Sequence, residues 1–117
     1  MLGEYTPSLA EVRRFTGQGN VVPVYREVRA DLETPVSAYL KVARGPYSFL
    51  LESVEGGERM GRYSFIGTEP YRVLARNHDD GDPLDEIERE LARFDAVEVD
   101  GLPRFNGGAV GYLGFEV

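Results

Sequence analysis

A carboxylate and a hydroxyl stand at the end of an apolar run in this sequence, at Glu52 and Ser53. A second strand-like run, Gly61–Gly67, returns after a Gly-Gly turn. Glu52 can accept a charge-assisted hydrogen bond from an ammonium group, and Ser53 offers a donor and an acceptor beside it. This chemistry suits a small polar ligand. The alternative is a strand that runs out to the surface with both residues solvated, and spacing alone favours that alternative.

The returning run could line the same pocket. Arg62 or Ser64 would then form its wall, next to Glu52. An ordinary strand explains the pattern at least as well, with Tyr63 and Phe65 buried on one face. Arg62 could equally pair with Glu52 or Glu58 as a surface salt bridge, which contributes little to stability.

Two other motifs carry no chemistry. The glycines in 107–114 lack the phosphate-loop spacing and continue as an apolar run, so we expect them to admit a close backbone or a bulky side chain. His78 lies among aspartates in a segment with Gly and Pro, which is typical of a solvated turn. One histidine and no cysteine leave few nucleophile–base pairs, and no catalytic constellation or metal site is expected.

Composition narrows the classes of partner. The 117 residues carry a net charge of −7, with 42% apolar and 28% charged residues, as in ordinary globular proteins. The acidic balance argues against nucleic acid and against an anionic membrane surface. No apolar run has the roughly 20 residues of a membrane span, and the first residues do not form a signal peptide. We therefore expect a cytoplasmic location.

Capping residues and hydrophobic periodicity predict an α+β domain that is mostly antiparallel sheet with two or three short helices. Ser8 and Glu11 form a capping box for a helix over about 9–16, Thr34-Pro35 begins a second helix, and Asp82-Pro83 begins a third. The predicted strands are 21–28 at an edge, 47–54 as a central strand buried on both faces, 62–66, 71–76, 97–99 and the glycine-rich 107–115.

Three blocks of this sequence resemble component I, the large subunit, of anthranilate synthase. They cover about residues 20–117 in the order found in that family. The blocks are Pro23–Glu27 with Thr34–Tyr39, Phe49–Ser53 with Gly61–Gly67, and Phe105–Glu116.

The resemblance implies both an activity and a place within a larger fold of two packed sheets. Residues 1–117 would be the N-terminal regulatory portion of a longer chain, which fits an end at Val117 directly after an apolar run. The full-length lyase would convert chorismate to anthranilate in tryptophan biosynthesis. It would use Mg²⁺ and ammonia from a glutamine amidotransferase subunit (component II). This portion alone would be inactive and would hold no cofactor.

The resemblance also gives the apolar run a role in feedback inhibition. The family's inhibitor motif, Leu-Leu-Glu-Ser, falls on Leu50–Ser53. It implies an allosteric L-tryptophan site in which Ser53 contributes first, followed by Glu52 and Leu51, with Arg62 and Tyr63 beside them.

Other assignments remain open. Aminodeoxychorismate synthase component I is similar in the glycine-rich block, although the Glu-Ser pair with Gly61–Gly67 looks more like anthranilate synthase. A non-catalytic amino-acid-binding module and a purely structural domain are the alternatives from other classes.

Overall fold

The computed structural model of this chain describes residues 3–52, 63–77 and 80–114. Its elements are, in chain order, α1 (Leu9–Phe15), α2 (Pro35–Val42), β1 (Phe49–Glu52), β2 (Ser64–Gly67) and α3 (Pro83–Leu91). They divide between two compact units, which we call the inserted unit (Arg29–Val73) and the terminal unit (Met1–Val28 with Leu74–Val117). For the described residues the predicted α+β class and the three helices are confirmed, but the expectation of mostly sheet is wrong, because the sheet has two strands of four residues each.

Each helix begins at the cap that the sequence predicts. The Ser8 hydroxyl accepts from the Glu11 backbone N–H at 3.2 Å, and the Glu11 carboxylate accepts from the Ser8 backbone N–H at 3.0 Å. Thr34 caps α2 through the backbone N–H of Ser37 at 3.0 Å. Asp82 caps α3 at 2.9 Å. These bonds satisfy donors that the first turn of a helix leaves free, so three short helices have defined starting points.

The inserted unit is built on an antiparallel hairpin. Strand β1 pairs with β2 in a register that sets Phe49 opposite Gly67 and Glu52 opposite Ser64. Helix α2 contacts both strands. The Phe49 ring lies over Gly67, where an added Cβ would stand 1.9 Å from a ring carbon. A glycine at this position is therefore required by the cross-strand neighbour.

The terminal unit is closed by hydrogen bonds between residues far apart in sequence. The Asn20 side chain accepts from the backbone N–H of Asp95 at 2.6 Å and donates to the Arg93 carbonyl at 2.7 Å. The backbone N–H of Val97 donates to the Val21 carbonyl at 2.9 Å. Val97 is 6% exposed. This junction holds the chain after α3 against the segment that follows α1.

Two predicted strands are wrong. Residues 21–28 form only isolated bridges, among them Val21 with Ala96 and Tyr25 with Thr6, because Pro23 has no N–H to continue a ladder. Residues 71–76 are irregular, and Tyr71 is 78% exposed. An alternating pattern makes a strand only where a partner strand satisfies its backbone groups.

Two further predicted strands, 97–99 and 107–115, are also wrong over their described residues, and the remaining two are shorter than predicted. β1 spans Phe49–Glu52 with one partner in the described sheet, and Leu51 is 44% exposed, so this run is not buried on both faces. Residues 97–99 are irregular next to the single bridge at Ala96, and so are residues 107–114. An added Cβ at Gly111 would meet nothing within 4 Å, so the expected close approach is absent there, and also at Gly107 and Gly114.

Predictions at several other positions lie outside the described residues. These are the ends of the strands predicted at 53–54, 62 and 115, the turn at 55–58, and His78. Among residues 3–52, 63–77 and 80–114, the helices lack the length and apolar character that crossing a bilayer requires.

Gly67→Ala should destabilise the chain by about 1–3 kcal/mol, because the new methyl group forces the Phe49 ring out of its place. The measurement is the urea midpoint of unfolding. Gly111→Ala is the matched control, since open space surrounds that position. Equal midpoints for the two variants would contradict the packing of Phe49 on Gly67.

Stability should also depend on pH through Glu33. Its carboxylate accepts from the Lys41 ammonium and from the Ser37 hydroxyl, and these bonds hold its pKa below the ordinary value. A depressed pKa contributes stability that is present above the unfolded-state pKa and lost as pH falls through the folded-state value. Unfolding midpoints should therefore converge for wild type and Glu33→Gln as pH falls from neutral to well below the ordinary glutamate pKa. A difference between the two proteins that stays constant with pH would rule this contribution out.

Candidate functional site

One end of the hairpin gathers three of the predicted ligand-binding residues. Glu52 is the last residue of β1 and stands opposite Ser64, the first residue of β2. Leu51 stands opposite Phe65. Tyr63 directly precedes β2. The antiparallel register therefore brings a carboxylate, a hydroxyl and apolar groups to the same end of the two strands.

An aromatic pair marks this end of the hairpin. The rings of Tyr63 and Phe65 stack with centroids 6.0 Å apart and planes inclined by 29°. Tyr63 is 51% exposed and Phe65 is half-buried, so the predicted burial holds only in part. A partly exposed aromatic stack with Leu51 across the ladder is a surface on which another flat apolar group can pack.

The pleat divides the candidate residues between two faces. Successive side chains in a strand alternate, so Leu51 and Phe65 share one face while Glu52 and Ser64 share the other. A ligand lying flat on one face would reach only half of the set. The geometry therefore favours an amphipathic ligand placed across the end of the strands, with its apolar part on the aromatic face and its charged part toward Glu52.

Ser53 and Arg62 lie outside the described residues, and their predicted role stays a prediction. Phe65 is the residue that sequence reasoning left out of the site. The ladder links it to Leu51, and its ring stacks on Tyr63. The signal was present in the sequence, because residues two apart in a strand share a face.

A second concave region occurs in the terminal unit. It has a volume of about 230 Å³ at the start of α3, and charged side chains line most of it. Arg76 there is held by both oxygens of Glu86, at 2.5 and 2.6 Å, and this pairing raises the Arg76 pKa. The Arg76 guanidinium in this region is therefore already paired, and within the described ranges no cluster of acidic or histidine side chains could hold a metal ion.

Comparison with known proteins gives a consistent result. Anthranilate synthase component 1 of Neisseria meningitidis serogroup B is 46% identical over 93% of this chain and 25% of its own length. The probable anthranilate synthase component 1 of Schizosaccharomyces pombe is 47% identical over 94% of this chain and 23% of its own. The protein of that name from Acetivibrio thermocellus is 38% identical over 97% of this chain and 26% of its own.

The chain thus spans about a quarter of the length of the curated relatives it matches. No protein-family profile matches it, and neither does any solved structure. The identity nevertheless extends over almost the whole chain in a bacterial and a fungal relative alike. The resemblance seen in the sequence is confirmed: over almost its whole length this chain is similar to a segment of anthranilate synthase component 1 that makes up about a quarter of that protein.

Proposed function

We propose that this chain is the regulatory part of an anthranilate synthase and carries part of the site for the feedback inhibitor L-tryptophan. The observation that supports this most is the hairpin end, where Glu52 and an aromatic surface occupy the same end of the ladder on opposite faces, in a chain similar to component 1. The ammonium group of an amino acid matches the carboxylate of Glu52. An indole ring matches the stacked Tyr63–Phe65 pair and Leu51. Ser53 and Arg62 complete the proposed site.

The proposed activity belongs to the longer protein. It is a lyase reaction in the cytoplasm that converts chorismate and ammonia to anthranilate, with the ammonia supplied by a glutamine amidotransferase subunit. We propose that the magnesium ion and the catalytic residues lie in the remaining three quarters of such a protein and that this chain alone is inactive. A larger fold of two packed sheets would place the hairpin in its N-terminal layer.

Inhibition is proposed to act by a shift of the longer protein between two conformations. Tryptophan binds more tightly to the arrangement that disfavours chorismate, and the coupling free energy is reciprocal. Chorismate must therefore weaken tryptophan binding by the same factor.

Two competing functions have distinct signatures. Aminodeoxychorismate synthase component I would form aminodeoxychorismate rather than anthranilate from the same substrate. A non-catalytic amino-acid-binding module would bind tryptophan without any effect of chorismate. Product analysis of the longer protein distinguishes aminodeoxychorismate synthase from anthranilate synthase. An effect of chorismate on tryptophan binding distinguishes the regulated enzyme from a binding module.

Glu52→Gln should weaken L-tryptophan binding roughly tenfold to a hundredfold, since it removes a charge-assisted hydrogen bond worth about 1.5–3 kcal/mol. Calorimetric titration of the longer protein with L-tryptophan, with D-tryptophan as the stereochemical control, measures this loss. Glu98→Gln is the matched variant, because Glu98 is an exposed glutamate of the terminal unit. Wild-type affinity in Glu52→Gln would remove Glu52 from the site.

Ser53→Phe should relieve inhibition by tryptophan and leave turnover largely intact, because the larger side chain fills the proposed inhibitor site and touches no catalytic group. The measurement is the rate of anthranilate formation against tryptophan concentration. Loss of turnover with retained inhibition would contradict a regulatory role for Ser53.

A further inference from the structure

Two hydroxyl groups join the hairpin to the backbone of Arg44, two residues after α2. They lie at the end of the hairpin that is away from the candidate site. The Thr68 hydroxyl accepts from the Arg44 backbone N–H at 2.8 Å and donates to the Arg44 carbonyl at 3.2 Å. The Ser48 hydroxyl lies 2.9 Å from the Thr68 hydroxyl and 3.0 Å from the same carbonyl. We call this group, formed by Ser48, Thr68 and the Arg44 backbone, the hydroxyl clasp.

The clasp continues the ladder by one position. Ser48 directly precedes β1 and Thr68 directly follows β2, so this pair comes next after Phe49 and Gly67. The Glu52–Ser64 pair ends the ladder at the opposite extremity. At roughly 3.4 Å per residue, the clasp and the candidate site are separated by about 14 Å along β1.

Contacts outside the ladder must help to fix the register of this hairpin. A two-residue turn fixes the register of most tight hairpins, whereas β1 and β2 are joined by residues 53–63. The ladder has four pairs, and Leu51 within it is 44% exposed, so burial of one face constrains it weakly. Two-stranded ribbons alone are marginally stable in water. The clasp and the close fit of Phe49 on Gly67 are contacts that match this alignment of the strands.

A slip of one residue would exchange the two faces of a strand. Glu52 would then share a face with the apolar groups rather than with Ser64. We propose that Thr68 and Ser48 are positioning residues: their hydroxyl groups fix the register that sets Glu52 opposite Ser64 and Leu51 opposite Phe65, and they thereby determine the affinity of the candidate amino-acid site. This inference rests on the proposed tryptophan site.

The test uses three variants of the longest natural protein that contains this chain. Thr68→Val removes the hydroxyl and keeps the branched shape, while Thr68→Ser keeps the hydroxyl. Thr16→Val is the matched control, because the Thr16 hydroxyl also donates to a backbone carbonyl, that of Arg13, at 3.0 Å in the terminal unit. L-Tryptophan affinity is measured by calorimetry, and kcat and KM for chorismate are measured without tryptophan.

Thr68→Val should weaken L-tryptophan binding roughly tenfold, while Thr68→Ser and Thr16→Val stay within about twofold of wild type. The values of kcat and KM should not change, because a register defect in the hairpin leaves the catalytic groups of the longer protein in place. General loss of structure would instead lower kcat along with affinity. Should Thr68→Val fail to fold, Ser48→Ala removes the other hydroxyl of the clasp and should weaken binding in the same direction.

Wild-type affinity in a folded Thr68→Val or Ser48→Ala protein overturns the positioning role and leaves the proposed tryptophan site standing. Absence of L-tryptophan binding in the wild-type protein overturns both. Equal weakening by Thr68→Val and by Thr16→Val would show a general cost of losing a hydroxyl, and it would also overturn the proposal.

Discussion

The register of one short ladder governs the inserted unit. Four residue pairs between Phe49–Glu52 and Ser64–Gly67 decide which side chains share a face, and the period of two leaves no intermediate arrangement. The contact of α2 with the sheet, the fit of Phe49 over Gly67 and the placement of Glu52 beside Ser64 all presuppose this one alignment.

Local signals in the sequence predicted the helices well. The Ser8–Glu11 capping box, Thr34 before Pro35 and Asp82 before Pro83 each act within three residues, and the helices begin where these residues place them. The strands depend on partners distant in sequence. Residues 21–28 and 71–76 alternate as strands do, yet they find no continuous neighbour among the described residues. Alternation of apolar and polar residues indicates that one face of a segment can be buried. It does not identify the strand that will pair with that segment.

The same distinction applies to the candidate site. Leu51, Glu52 and Tyr63 were identified from residue types and from the family resemblance, and the ladder brings these three to one end of the hairpin. The period of two already separates Leu51 from Glu52 within β1, but which residues of β2 share a face with each of them could not be predicted, because that follows from the register. The spacing of Tyr63 and Phe65 already placed Phe65 on the face of Tyr63, and the register adds that Leu51 stands opposite Phe65.

The junction at Asn20 has a consequence for the order of folding. Asn20 and Asp95 are 75 positions apart, and the whole of Arg29–Val73 lies between them in the chain. A protein is synthesised from its N-terminus, so every residue of the inserted unit has been added before Asp95 exists. The terminal unit can fold only after its second segment, Leu74–Val117, has been synthesised. Both strands of the hairpin are already present by then. A hairpin that has already folded also shortens the flexible chain that Asn20 and Asp95 must close, which lowers the entropic cost of that last step.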